Sequence, residues 1–145
     1  MILFKPQFVQ SILNGQKTQT RRLGVKRWNV GSIHQTKTNF SEESAFAKVM
    51  ITQEPYQQEL RMMSSSDALA EGGFTIHDSC KNKTIDKIYA RMACKKCNHK
   101  ETCYQLVWIT VNGTWRPKEN PWVVNFQRIR EKVQNNIRIT NTVII

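Results

Sequence analysis

Two groups of residues in this chain have the types and spacing to do chemistry. The first is Cys80, Cys94, Cys97 and Cys103, spaced C-x13-C-x2-C-x5-C, with His99 inside the last gap. Two thiolates separated by two residues reach one metal ion from a tight turn, and the outer pair completes four sulfurs. Lys95, Lys96 and Lys100 stand among them and offset thiolate charge. The segment is otherwise polar and turn-like, so a metal supplies order that its composition does not. Zinc is the expected metal, with His99 in place of one thiolate as a variant. Four thiolates serve a [4Fe–4S] cluster equally well. Disulfides are disfavoured by the reducing compartment expected below.

The second group is Gly15-Gln16-Lys17-Thr18-Gln19-Thr20-Arg21-Arg22. Lys17 offers a point charge for phosphate, and Arg21 and Arg22 offer planar forks that grip a phosphate or a base edge with paired bonds. Thr18 and Thr20 add neutral donors. Lys37 extends the basic set, and Trp28, directly after Lys26-Arg27, is an aromatic face on which an unpaired base could stack.

The charge balance points the same way. Lys and Arg total 22 against 11 Asp and Glu, a formal charge of +11. Residues 1–40 hold seven basic residues and no acidic one. Such a field concentrates polyanions, and RNA is the expected partner, with DNA less favoured. No apolar run is long enough to span a membrane, and no basic amphipathic helix suggests one as a surface partner. The first residues lack the pattern of a secretory leader, so the expected compartment is the cytoplasm.

Elements that would position these groups are legible in outline. Residues 1–5 read as a strand. Pro6 opens a helix with Phe8, Val9, Ile12 and Leu13 on one face, stopped at Gly15. Residues 17–27 read as a surface loop or ragged strand, and 33–40 and 45–53 as strands. Ser64-Ser65-Ser66-Asp67 caps a short helix that ends at Gly72-Gly73. A further helix is expected over 84–92. Residues 105–111 and 114–128 are rich in Val, Ile, Trp and Phe, and Asn112-Gly113 between them predicts a hairpin. The expectation is an α+β, β-rich domain, a small barrel with flanking short helices.

Gly15-x-Lys17-x-x-x-x-Arg22 behind the helix 6–14 resembles the ASCH domain, a relative of the PUA fold. Trp28-Asn29-Val30-Gly31-Ser32, Asp67-Ala68-Leu69-Ala70-Glu71-Gly72-Gly73-Phe74 and Trp122-Val123-Val124-Asn125-Phe126 are similar to that family's landmarks, in order. The resemblance covers most of 1–78 and 104–128. It implies a domain over 1–128 with a PUA-like barrel, and leaves the Cys-rich segment, expected from its spacing to bind metal, as an insertion at about 79–104 and residues 129–145 as a tail or extra strand. It also implies a cleft lined by Lys17–Arg22 and binding to RNA, single-stranded or in structured loops. Many members carry Glu where this chain has Thr20, a change that does not hurt a binding role.

The resemblance leaves enzyme status open. A similar subgroup hydrolyses the amide of acetylated cytidine with a lysine, a threonine three residues on and a distant glutamate, which Lys17, Thr20 and Glu71 would match. Other members cleave RNA, for which Glu71 or His77 would be the general base. The cysteine spacing is also similar to the iron–sulfur clasp of some DNA-processing nucleases. A third role is a scaffold whose cluster binds a protein partner.

Overall fold

Strand β8 (Trp122–Gln134) is the axis about which the chain is organised. Its aromatic and β-branched residues suit a pleated surface, and Val124 and Phe126 are buried in the same core as Ile2, Ile12, Val49 and Ile51. The computed structural model describes residues 1–93, 97–134 and 137–144. Before β8 come β1 (Ile2–Leu3), β2 (Gln19–Arg22), β3 (Ile33–Lys37), β4 (Ala45–Ile51) and β5 (Tyr56–Gln57); β9 (Ile137–Ile144) follows it. Across the sheet the order is β1-β3-β4-β8-β2, with β5 and β9 also pairing β8. β1 runs parallel to β3, and the other pairs in this sheet are antiparallel.

β1 and β2 stand at the two ends of that path. The sheet curls toward closure, and a side chain spans the seam: the Arg22 guanidinium donates to the Leu3 carbonyl oxygen at 2.6 Å. Helix α1 (Val9–Leu13) follows a 3-10 turn at Pro6–Phe8 and buries Ile12 against the barrel. Helix α2 (Ser65–Ala70) is fixed by a capping box. The Ser64 hydroxyl accepts the Asp67 N–H at 3.1 Å, and the Asp67 carboxylate accepts the Ser64 N–H at 2.9 Å. It stops where Gly73 takes φ +81°, and a Cβ there would lie 2.2 Å from Gln16 Nε2. Glycine lets this helix end approach the turn before Lys17.

The second lobe contains α3 (Asp78–Lys81), β6 (Ile85–Asp86), α4 (Lys87–Ala93), α5 (Tyr104–Asn112) and β7 (Thr114–Trp115), the last paired with β6. Its core joins Leu60, Met63, Ile85, Trp108, Ile109 and Trp115. Trp108 and Trp115 meet edge to face at 6.4 Å, a favoured aromatic geometry.

Two sequence expectations are corrected here. Residues 105–111 are helix, not strand. Tyr104, Gln105, Trp108 and Ile109 are the buried positions of α5, a helical spacing that the run of β-branched residues obscured. Asn112-Gly113 is therefore the end of that helix, with Gly113 at φ +91°, and not a hairpin turn. Within 17–27, residues 19–22 form a strand whose first three residues are buried, in the register Gln19↔Asn125 to Arg22↔Trp122. No helix of the described residues is long and apolar enough to cross a membrane.

Candidate functional site

The polar segment before β2 is held from three sides. The Lys17 N–H donates to the Ser11 carbonyl at 2.8 Å, the Thr18 N–H to Ala70 at 2.8 Å, and Thr18 accepts the Phe126 N–H at 2.9 Å. Backbone bonds to α1, α2 and β8 thus fix the segment before any side chain is considered. Strand alternation then sends Thr20 and Arg22 to one face and Gln19 and Arg21 to the other.

Lys17, Arg21 and Glu71 form a buried charge cluster, with side chains 3%, 0% and 2% exposed. Lys17 Nζ donates to the carbonyls of Gln19 (2.9 Å) and Glu71 (2.7 Å) and to Glu71 Oε2 (3.2 Å). Arg21 gives one nitrogen to Glu71 Oε1 at 2.7 Å and the other to Gln58 Oε1 at 2.7 Å, with Asp67 Oδ2 at 3.6 Å. Two cations face two carboxylates, as buried charge requires. Burial draws the Lys17 pKa below its ordinary 10.5, and the Glu71 carboxylate opposes that shift. Tyr104, at the start of α5, is buried beside Glu71; burial first, then that negative charge, lifts its phenol well above 10.0. It stays neutral at physiological pH.

Where β1 and β2 fail to pair, a cleft of about 470 Å³ opens, within the usual size of small-ligand sites. Phe4, Phe8, Thr20, Arg22, Glu71 and Trp108 are among its walls. Arg22 lies 5.0 Å from the Phe4 ring centroid and 5.9 Å from that of Trp28, and its Nε donates to Thr20 Oγ1 at 3.2 Å. Among the described residues it has no carboxylate partner. It is half-buried and lines the cleft together with the exposed Lys5.

The expected binding residues therefore separate. Lys17, Thr20, Arg21, Arg22 and Glu71 all line the one cleft. Lys17 spends its three N–H bonds on protein acceptors, so phosphate would have to compete for them. Trp28 is buried in the barrel core and lies edge-on to His34 at 6.5 Å. Lys37 is buried and paired with Glu42. Neither lines the cleft. Sequence reading missed the wall contributed by α5 (Tyr104, Val107, Trp108, Val111), because that segment was assigned to a strand. Its i, i+3, i+4, i+7 spacing was the available signal.

Of the four expected metal ligands, Cys94 lies outside the described residues. Cys80, Cys97 and Cys103 are free thiols that line one small cavity together with His77. Among the described residues no three His, Cys, Asp or Glu side chains are gathered tightly enough to hold a metal ion. His99 donates its backbone N–H to Cys97 Sγ at 3.4 Å, and its ring lies 5.0 Å from that of His77. Gln105, 1% exposed, lines the same cavity with both amide atoms unpartnered. Such an amide costs about 1–3 kcal/mol for each unmet atom.

No family model matches the chain, and no curated protein matches it. Among solved structures it is similar to an ASCH domain from Lactobacillus crispatus JV V101, at 14% identity and TM-score 0.46, covering 83% of this chain and 69% of that one. It is also similar to a protein from Enterococcus faecalis V583 of family DUF984, at 13% identity and TM-score 0.48, covering 83% of this chain and 65% of that one. The first carries the family name that the sequence motifs resembled.

Proposed function

We propose that the protein binds RNA by taking an unpaired base or a terminal nucleotide into the cleft between β1, β2 and α5. The observation that carries this reading is Arg22, a guanidinium without a carboxylate partner among the described residues, held beside Thr20 in a cleft of about 470 Å³. A base would meet the rings of Phe4 and Phe8 and the fork of Arg22, and its phosphates the field of a chain carrying +11. Lys17 and Arg21 are balanced by Glu71 and Asp67 and shape the floor. Arg22→Ala is expected to weaken binding of a labelled single-stranded RNA by about tenfold or more, the loss of one charged hydrogen-bonding group. Unchanged affinity would reject the cleft as the site. Affinity should also fall steeply with added salt.

A second reading is favoured by one observation, the convergence of Lys17, Thr20 and Glu71 on the same cleft with the Lys17 pKa drawn down by burial. On this reading Thr20 Oγ attacks the amide carbon of an acetylated cytidine, its proton passing to Lys17 or Glu71. The amine leaves protonated, and water then releases acetate from Thr20. Incubation with N4-acetylcytidine and chromatography of the products tests it: turnover lost in Thr20→Ala supports hydrolysis, and no turnover by the wild type rejects it.

A further inference from the structure

The cavity between α3 and the start of α5 gathers His77, Cys80, Cys97 and Cys103 around about 60 Å³. His77 is the unexpected member, because the cysteine spacing by itself offered four sulfurs. We propose that these four side chains bind one zinc ion, with His77 supplying a nitrogen donor.

Four observations carry the proposal. Cys97 Sγ lies 3.7 Å from His77 Nε2. Zinc–sulfur and zinc–nitrogen bonds of about 2.3 and 2.0 Å at a tetrahedral angle place the two donors about 3.5 Å apart, so this edge is already near closure. His77 and Cys80 are separated by two residues, the spacing from which two donors in one turn reach one ion. Gln105, buried with neither amide atom partnered, lines the same cavity, where thiolate sulfur could accept its N–H and an imidazole N–H could meet its carbonyl oxygen. Lys83 and Lys100 line the cavity and supply positive charge beside the sulfurs.

A nitrogen donor separates zinc from an iron–sulfur cluster held by four thiolates. The site also has a mechanical consequence, since Cys103 directly precedes Tyr104, which packs beside Glu71 under the cleft.

The test is metal analysis of the full chain purified without oxygen, followed by reconstitution with cobalt(II). One zinc per chain and a tetrahedral cobalt spectrum of three sulfurs and one nitrogen are expected. His77→Gln should lower zinc affinity by about tenfold or more and alter the cobalt bands, while His99→Gln leaves both unchanged. A brown iron-containing protein, a reduced wild type that takes up neither zinc nor cobalt, or a four-sulfur cobalt spectrum would overturn the proposal. The wild-type spectrum decides the nitrogen donor even if His77→Gln fails to fold.

Discussion

The charged floor of the cleft and the cysteine cavity both carry polar groups into the interior, and they satisfy them differently. Beneath the cleft, Lys17 and Arg21 come from one segment and Glu71 from the end of α2, and each cation meets Glu71, at 3.2 and 2.7 Å. In the cavity of the second lobe, Gln105 has no partner for either amide atom, and the thiols of Cys80, Cys97 and Cys103 are free. The first region pairs its charges with protein groups and, among its described atoms, leaves only Arg21 Nε without a partner. The second leaves a whole buried amide, that of Gln105, without a protein partner among the described residues. Paired charge makes a rigid wall for a ligand, whereas on the zinc proposal the stability of the second lobe depends on the metal it binds.

The sharpest way to break that comparison is to unbalance the complete region. Glu71→Leu leaves Lys17 buried without a carboxylate and Arg21 with Asp67 at 3.6 Å, and should cost about 3–5 kcal/mol in denaturant unfolding. A loss below about 1 kcal/mol would mean that the cluster is hydrated and not the sealed floor described. Next in size is removal of metal from the second lobe. With zinc at a hundredfold excess over its dissociation constant, chelation should remove about 2.7 kcal/mol. Hydrogen exchange should then rise across α3, α4 and α5 while β3, β4 and β8 stay protected; equal loss in both regions would erase the distinction between them.

Lys17→Met probes the same floor more gently, because Glu71 keeps Arg21, and about 1–3 kcal/mol is expected. Its pH dependence gives the sign. The Lys17 pKa is lowered in the folded chain, so between that value and 10.5 the unfolded state binds more protons. Wild-type stability therefore gains with rising pH through this window, and Lys17→Met loses that gain. The difference between the two unfolding curves isolates it, since the opposing contribution of Tyr104 above pH 10 is common to both. The smallest effect is expected at the rim. Ser64→Ala removes the capping box of α2, at about 1 kcal/mol, and leaves the metal content of the other lobe unchanged.

The residues of the cleft floor were legible in the sequence as types, and Lys17, Thr20, Arg22 and Glu71 do converge. Their burial was not legible. A run of Lys, Gln, Thr and Arg reads as surface because nothing local reveals Glu71, Asp67 and Gln58, 37 to 54 residues away in the chain. The capping box of α2 was readable for the opposite reason, since Ser64 and Asp67 are three residues apart and satisfy each other. α5 was misread because β-branched residues and Asn112-Gly113 gave strong local strand signals. Packing of Trp108 and Ile109 against Trp115 and Leu60 overrides such propensity. His77 was read as a candidate base and not as a metal ligand because the cysteines alone made a full set of four.

The central claim is that the seam between β1 and β2 is where RNA is held, and Arg22 tests it most directly. Binding of a labelled single-stranded RNA and of a duplex of the same sequence would be measured for the wild type and for Arg22→Ala. The expected result is a preference of the wild type for the single strand, lost together with about tenfold or more in affinity when Arg22 is removed. Equal binding of strand and duplex, unchanged in Arg22→Ala, would place RNA elsewhere on the basic surface and contradict the cleft as its site.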